Sequence, residues 1–235
     1  MGLLHRYIHG ETTSVYNELY ALGADALSPA NFTETSLVLH ETFTRVRYNL
    51  EVIYKELQRI NYQFEADIKH DWQIPLLAPD TDTDILLAEL KSRVKNVGHI
   101  PLSLEYFYTI VGSCNFCWDW KLKPDIPWEG ADPVDIPPIK NLLEMVDEED
   151  FIESDCDEIL IAGDYLQKDN ISGSSYHIQL TTSASLDSLI TGWDIPFIEY
   201  LRLTCNNCGF TMADQCEYDS LTEFCNRVRP KLLDI

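Results

Sequence analysis

The chain has 235 residues, of which 45% are hydrophobic and 11% aromatic, and its formal net charge is −22. That apolar content is ample for a buried core and excludes global disorder, while the negative charge disfavours nucleic acid and anionic membranes as partners. No window approaches the roughly 18 uninterrupted apolar residues of a membrane span.

The N-terminal Met-Gly-Leu-Leu-His-Arg-Tyr contains no apolar core of signal-peptide length. Arg6 stands where a myristoylation motif starting at Gly2 needs a hydroxyl. Seven cysteines, an odd number in a chain too large to need disulfide staples, read as reduced thiols and point to the cytoplasm.

The spacing predicts a short helix around residues 14–22, ending near Gly23. A longer one follows over residues 39–64. There Leu39, Phe43, Val46, Leu50, Ile53, Leu57, Ile60 and Phe64 recur at alternating steps of four and three, one apolar stripe along a helix. Glu41 with Arg45 and Glu51 with Lys55 add i,i+4 pairs. Phe43 and Phe64 are bulky for a coiled-coil seam, so the stripe is expected to pack on the protein's own core.

Residues 73–83, with Pro75 and Pro79, form a connector. Asp84 then caps a helix carrying Leu87, Leu90, Val94 and Val97, with Gly98 beyond its end. Pro101 opens another, with Leu104, Phe107, Tyr108 and Val111 apolar and Gly112 terminating it. Prolines at 124, 127, 133, 137 and 138 argue against long regular structure in the next section. Strands are predicted at residues 158–162 and 174–180, joined by a turn over 167–173; in the second, Tyr176, Ile178 and Leu180 alternate with His177 and Gln179. Asp194 and Pro196 start a helix running to Gly209. Ser220 and Glu223 have the spacing of a capping box for a last helix, which Pro230 kinks or ends. Helices outnumber strands and the strands sit in the middle of the helical pattern, an α+β arrangement.

The charge is unevenly spread. Between Asp125 and Asp169 fifteen carboxylates face two cations, Lys140 and Lys168. Trp128, Met145, Phe151, Ile152 and the run Ile159, Leu160, Ile161 are embedded among them, which sets this stretch apart from a solvated acidic tail.

Three segments resemble the SMI1/KNR4 (SUKH) superfamily: IPLSLEYFYTIVGSCNF at residues 100–116, ILIAGDYLQKDNISGSSYHIQL at 159–180 and FIEYLRLTCNNCGF at 197–210. The helix at residues 41–64 is similar to an N-terminal extension on a bacterial branch of that family. The resemblance implies a central, mostly antiparallel sheet flanked by helices, with residues 1–72 as a helical extension packed on a core of 73–235 as one compact unit. It also implies a binding protein without catalytic residues: an immunity protein that blocks a toxin, often a nuclease, or a regulatory scaffold. Cys114 and Cys117 depart from the family's apolar or small residues after the glycine turn.

Those cysteines raise a metal question. Cys114-x-x-Cys117 and Cys205-x-x-Cys208 together offer four thiolates to a tetrahedral zinc, the one arrangement here that would reopen an enzyme. However, 87 residues separate the pairs, against about 15–20 in common zinc sites. Cys205 also falls on the apolar face of a helix, and Gly209 is explained as that helix's C-cap. No metal and no cofactor is expected.

Asp147 to Asp150 is weak evidence for acid–base chemistry in so acidic a chain. Asp155, Asp157 and Glu158 lack the glycine and spacing of an EF-hand loop. The six histidines form no metalloprotease motif, and Ser172-Gly173-Ser174-Ser175 reads as a turn. Lys91, Arg93 and Lys95 answer the dipole of the helix they end. Trp118 and Trp120 are expected to cover the sheet. The partner expected is a basic protein met by Trp128, Glu148, Asp150, Asp155 and Asp157, because aromatics beside carboxylates make hot spots for cationic surfaces.

Overall fold

In the computed structural model, residues 2–65, 74–119, 128–146 and 157–235 are described. Helices α1 (Leu3–Ile8) and α2 (Thr12–Leu22) and a 3₁₀ turn (Gly23–Leu27) lead into the long helix α3 (Phe32–Arg59). Leu39, Phe43, Val46, Leu50, Ile53 and Leu57 are all buried along one side of α3. The Phe43 ring lies 6.4 Å from that of Phe107 and 6.5 Å from that of Phe197. The stripe therefore belongs to a core that reaches from Tyr7 to Ile235.

The helix starts earlier and ends earlier than its apolar spacing predicts. Asn61 takes a left-handed φ of 55°, and Asn61 N–H and Tyr62 N–H donate to the carbonyls of Gln58 and Leu57 at 3.1 Å each. This is a Schellman ending built on asparagine in place of the usual glycine. Phe64 lies beyond it, paired with Trp118 in an isolated bridge.

Strand β1 (Leu76–Leu77) is followed by α4 (Thr83–Val94), whose N-cap position is Asp82, with Asp84 inside the first turn. Helix α5 (Leu102–Tyr106) begins after Pro101 and widens into a π-helical turn (Phe107–Val111), which Gly112 closes by donating to the Phe107 carbonyl at 3.0 Å. Gly112 has φ 97°, and a Cβ there would stand 2.2 Å from the Leu77 carbonyl oxygen. Only glycine permits both the turn and the approach of β1.

Next come β2 (Ser113–Asn115), β3 (Asp135–Ile136), α6 (Ile139–Val146), β4 (Glu158–Gly163), the single turn α7 (Tyr165–Lys168) and β5 (Ser175–Gln179). β6 (Leu189–Thr191), β7 (Ile195–Pro196), α8 (Phe197–Asn206) and α9 (Asp219–Val228) complete the order. The fold is α+β, with helices flanking antiparallel strands. The strands form two sheets, β1-β2-β3 and β4-β5-β6-β7, where one central sheet was expected.

Pro137 and Pro138 directly precede α6, where a proline loses no ladder bond, and among the described residues of 124–138 no element is longer than the two-residue β3. Two further expectations need correction. Part of the turn expected at 167–173 is α7, capped by the Asp164 side chain, which accepts from Gln167 N–H. The capping box at Ser220 is not formed. Tyr218 is the N-cap residue of α9, and Ser220 Oγ instead accepts the Trp128 indole N–H at 3.0 Å.

Candidate binding site

The polar centre of the molecule lies where β3, β4, α7 and β5 meet. Asp132, with φ 54°, leads towards β3, and Lys168 is the last residue of the helical turn that Asp164 starts. Lys168 Nζ donates to Asp132 Oδ1 at 2.6 Å, and the Tyr176 hydroxyl donates to Oδ2 at 3.1 Å. The side chains of Lys168 and Asp132 are 2% and 0% exposed. Lys168 Nζ also sits 5.0 Å from the centre of the Tyr176 ring. Burial pulls the lysine pKa down, but the facing Asp132 charge outweighs it and the pKa ends raised, so the ammonium is permanent.

Beside this pair, Asp135 faces a cavity of about 200 Å³ lined by Glu65, Cys117, Trp118, Asp135, Gly163, Gln167 and Lys168. A second cavity of about 210 Å³ adjoins it at Asp135 and Gly163 and is walled by Pro137, Asn141, Met145, Leu160, Ile161 and Ala162. Among the described residues, none donates a hydrogen bond to the Asp135 carboxylate. Burial pushes its pKa up to about 7, against the opposing pull of Lys168. Asp169 behaves differently: Trp118 Nε1 donates to one of its oxygens at 3.0 Å and Gly130 N–H to the other at 2.6 Å.

Burial raises the Cys117 thiol well above its ordinary range. A protonated thiol is a poor nucleophile, and Asp135 beside it is a carboxyl that changes charge near neutral pH. The arrangement suits the capture of a hydrogen-bonding cation better than covalent chemistry.

Glu148, Asp150 and Asp155, like Trp120, lie outside the described residues. Asp157 is exposed, just before β4, and its carbonyl accepts from Leu180 N–H at 2.6 Å. Trp128 is a core residue, 4% exposed, with its ring 5.0 Å from that of Phe210 in an edge-on arrangement. Burial and the bond to Ser220 leave it no free face, which corrects its expected role in recognition. Trp118 is buried at 8% exposure, as a residue covering a sheet would be.

The four paired cysteines do not form one cluster. Cys117 faces the Asp135 cavity, whereas Cys208 lies against Cys225. Cys208 and Gly209 both take positive φ after α8, 55° and 91°; Cys208 N–H donates to Cys205 O at 2.9 Å, and Gly209 N–H to Thr204 O at 2.8 Å. Among the described residues, no group of three or more His, Cys, Asp or Glu is placed to hold a metal ion. None of the described helices is long and apolar enough to cross a membrane.

Sequence reasoning missed Asp132 and Asp135 as site residues. The available signal was Lys168, one of only two cations in an acidic stretch: a lone lysine among carboxylates marks where the interior needs a countercharge. No family model, curated protein or solved structure matches the chain, so the resemblance to the SMI1/KNR4 superfamily rests on its own residues.

Proposed function

We propose that this chain is a non-catalytic acidic binding protein whose partner is a basic protein, a toxin domain that it neutralises. The observation that carries the reading is charge segregation within residues 125–169. Fifteen carboxylates stand there against Lys140 and Lys168. Lys168 is buried against Asp132, and the exposed Lys140 is paired with Asp80. Glu129, Glu144 and Asp157 are exposed members of the set. Such a surface draws in a basic face and steers it into register. The order of the SMI1/KNR4-like segments supports a binding protein of that class, either an immunity protein or a regulatory scaffold.

The test begins with affinity capture at low salt and proceeds to association kinetics with the partner recovered. The expected partner is basic, and its association rate falls steeply between about 50 and about 300 mM salt. Replacing Glu148, Asp150, Asp155 and Asp157 by their amides should slow association and leave dissociation nearly unchanged. Recovery of only acidic or uncharged partners, or an amide variant that associates as fast as the parent at low salt, would reduce the acidic surface to a solubility feature.

A further inference from the structure

We propose that the paired cavities at Asp135 form a receptor for one arginine side chain of the basic partner. The inference deepens the reading above and rests on it for the source of the arginine.

Four observations converge on this occupant. Asp135 is a half-buried carboxylate at a cavity wall, and none of the described residues donates a hydrogen bond to it. The neighbouring ammonium does not fill that role: Lys168 Nζ donates to Asp132 at 2.6 Å, lies over the Tyr176 ring and makes no hydrogen bond to Asp135. A cation from outside would therefore complete the Asp135 side of the cavity.

The second observation is the division of the space. The chamber on the Lys168 side carries Asp135, Glu65 and Gln167, while the adjoining one is walled by Pro137, Met145, Leu160 and Ile161. An occupant with a cationic head and an aliphatic stem matches this division, and long basic side chains have that build.

Third, the acceptors favour a planar head. Gln167 Nε2 is engaged with the Gly173 carbonyl at 3.1 Å, and Gln167 Oε1 lies over Gly163, where an added Cβ would stand 2.7 Å from it. Acceptors from β3 and α7, with the Trp118 indole in the lining, suit the five N–H groups and flat face of a guanidinium better than a compact ammonium. Fourth, size agrees. The chamber of about 200 Å³ is far larger than the roughly 10–15 Å³ that one water needs, so it has room for a side-chain head group.

The probe is Nα-acetyl-arginine amide, titrated into the intact protein and followed by amide and indole chemical shifts. We expect saturable binding in the millimolar range at about pH 8, at least tenfold weaker for the neutral isostere Nα-acetyl-citrulline amide and at least threefold weaker for Nα-acetyl-lysine amide. Asp135→Asn should weaken binding at least tenfold, with its thermal unfolding confirming an intact fold. In the parent, binding should weaken by a similar factor as the pH falls to about 5 and Asp135 takes up a proton. No saturation, equal binding of the citrulline ligand, or indifference to both Asp135→Asn and pH would overturn the receptor. Lysine binding equal to arginine would overturn the guanidinium assignment. If arginine fails to bind while salt-sensitive capture of a basic protein persists, this pocket falls and the proposed function stands. If arginine binds and no basic partner is recovered, the reverse holds.

Discussion

Two acidic centres of this molecule use the same side chain in opposite ways. Asp187 sits where α2, α5 and α8 meet and accepts four hydrogen bonds: from Tyr20 OH at 2.9 Å, Ser103 Oγ at 2.7 Å, Ser188 N–H at 2.9 Å and Ile198 N–H at 3.1 Å. The last of these belongs to the first turn of α8, where a negative charge also meets the helix dipole. Asp135 lies at the meeting of the two sheets, beside the Asp132–Lys168 pair, and receives no such bonds from the described residues. Burial raises both pKa values, to about 6 for Asp187 and about 7 for Asp135. A carboxylate saturated with donors joins elements of the fold. One left open beside a cavity leaves coordination for something else.

The largest expected effect lies behind Asp135. Lys168→Ala strands the Asp132 charge in an interior where nothing replaces the ammonium, and removing one partner of a buried pair costs about 3–5 kcal/mol. Urea unfolding of the variant measures this directly. A loss below about 1 kcal/mol would mean that water already reaches Asp132 and that the pair is not part of the core.

Asp187→Ala should cost about 3 kcal/mol, because two backbone N–H groups and two hydroxyls lose their shared acceptor and α2 and α8 lose a common anchor. Hydrogen exchange should quicken first in the opening turn of α8. If exchange there is unchanged, Asp187 does not join these helices in the way its bonds indicate.

The smallest effect has the opposite sign. Asp135 is raised from 3.8 to about 7, so the native state holds a proton that the unfolded chain releases at lower pH. The stability this confers is complete below the unfolded pKa and is lost as pH rises through the folded value. Asp135→Asn removes that loss. The variant should exceed the parent by about 2 kcal/mol at pH 8, roughly half of the full linkage because the cavity admits water, and should match it near pH 4. Melting curves across this range provide the check. A variant less stable than the parent at pH 8 would show that the Asp135 charge is satisfied and that the contrast with Asp187 is unfounded.

Local chemistry made much of the helical framework readable. The α3 stripe, the end of α2 at Gly23 and the Gly112 stop all follow from spacing or from glycine's conformational freedom. The alternating pattern of β5 was equally plain. Endings built on unusual residues were not: Asn61 and Cys208 take left-handed positions that sequence rules assign first to glycine. The short strands β1, β3 and β7, of two residues each, carry no periodicity to detect.

The sequence by itself determined the acidic character, the α+β class and the apolar face of the long helix, because each depends on composition or on residues near one another in the chain. Tertiary structure alone decided that Trp128 is core, that Cys117 and Cys208 face different neighbours, and that Lys168 answers Asp132 from 36 residues away. It also decided that Asp135 receives no hydrogen bond from the described residues. Fifteen carboxylates in residues 125–169 are alike as letters. They differ only in the dielectric, donors and countercharges that distant segments bring to each, and those are properties of the packed chain.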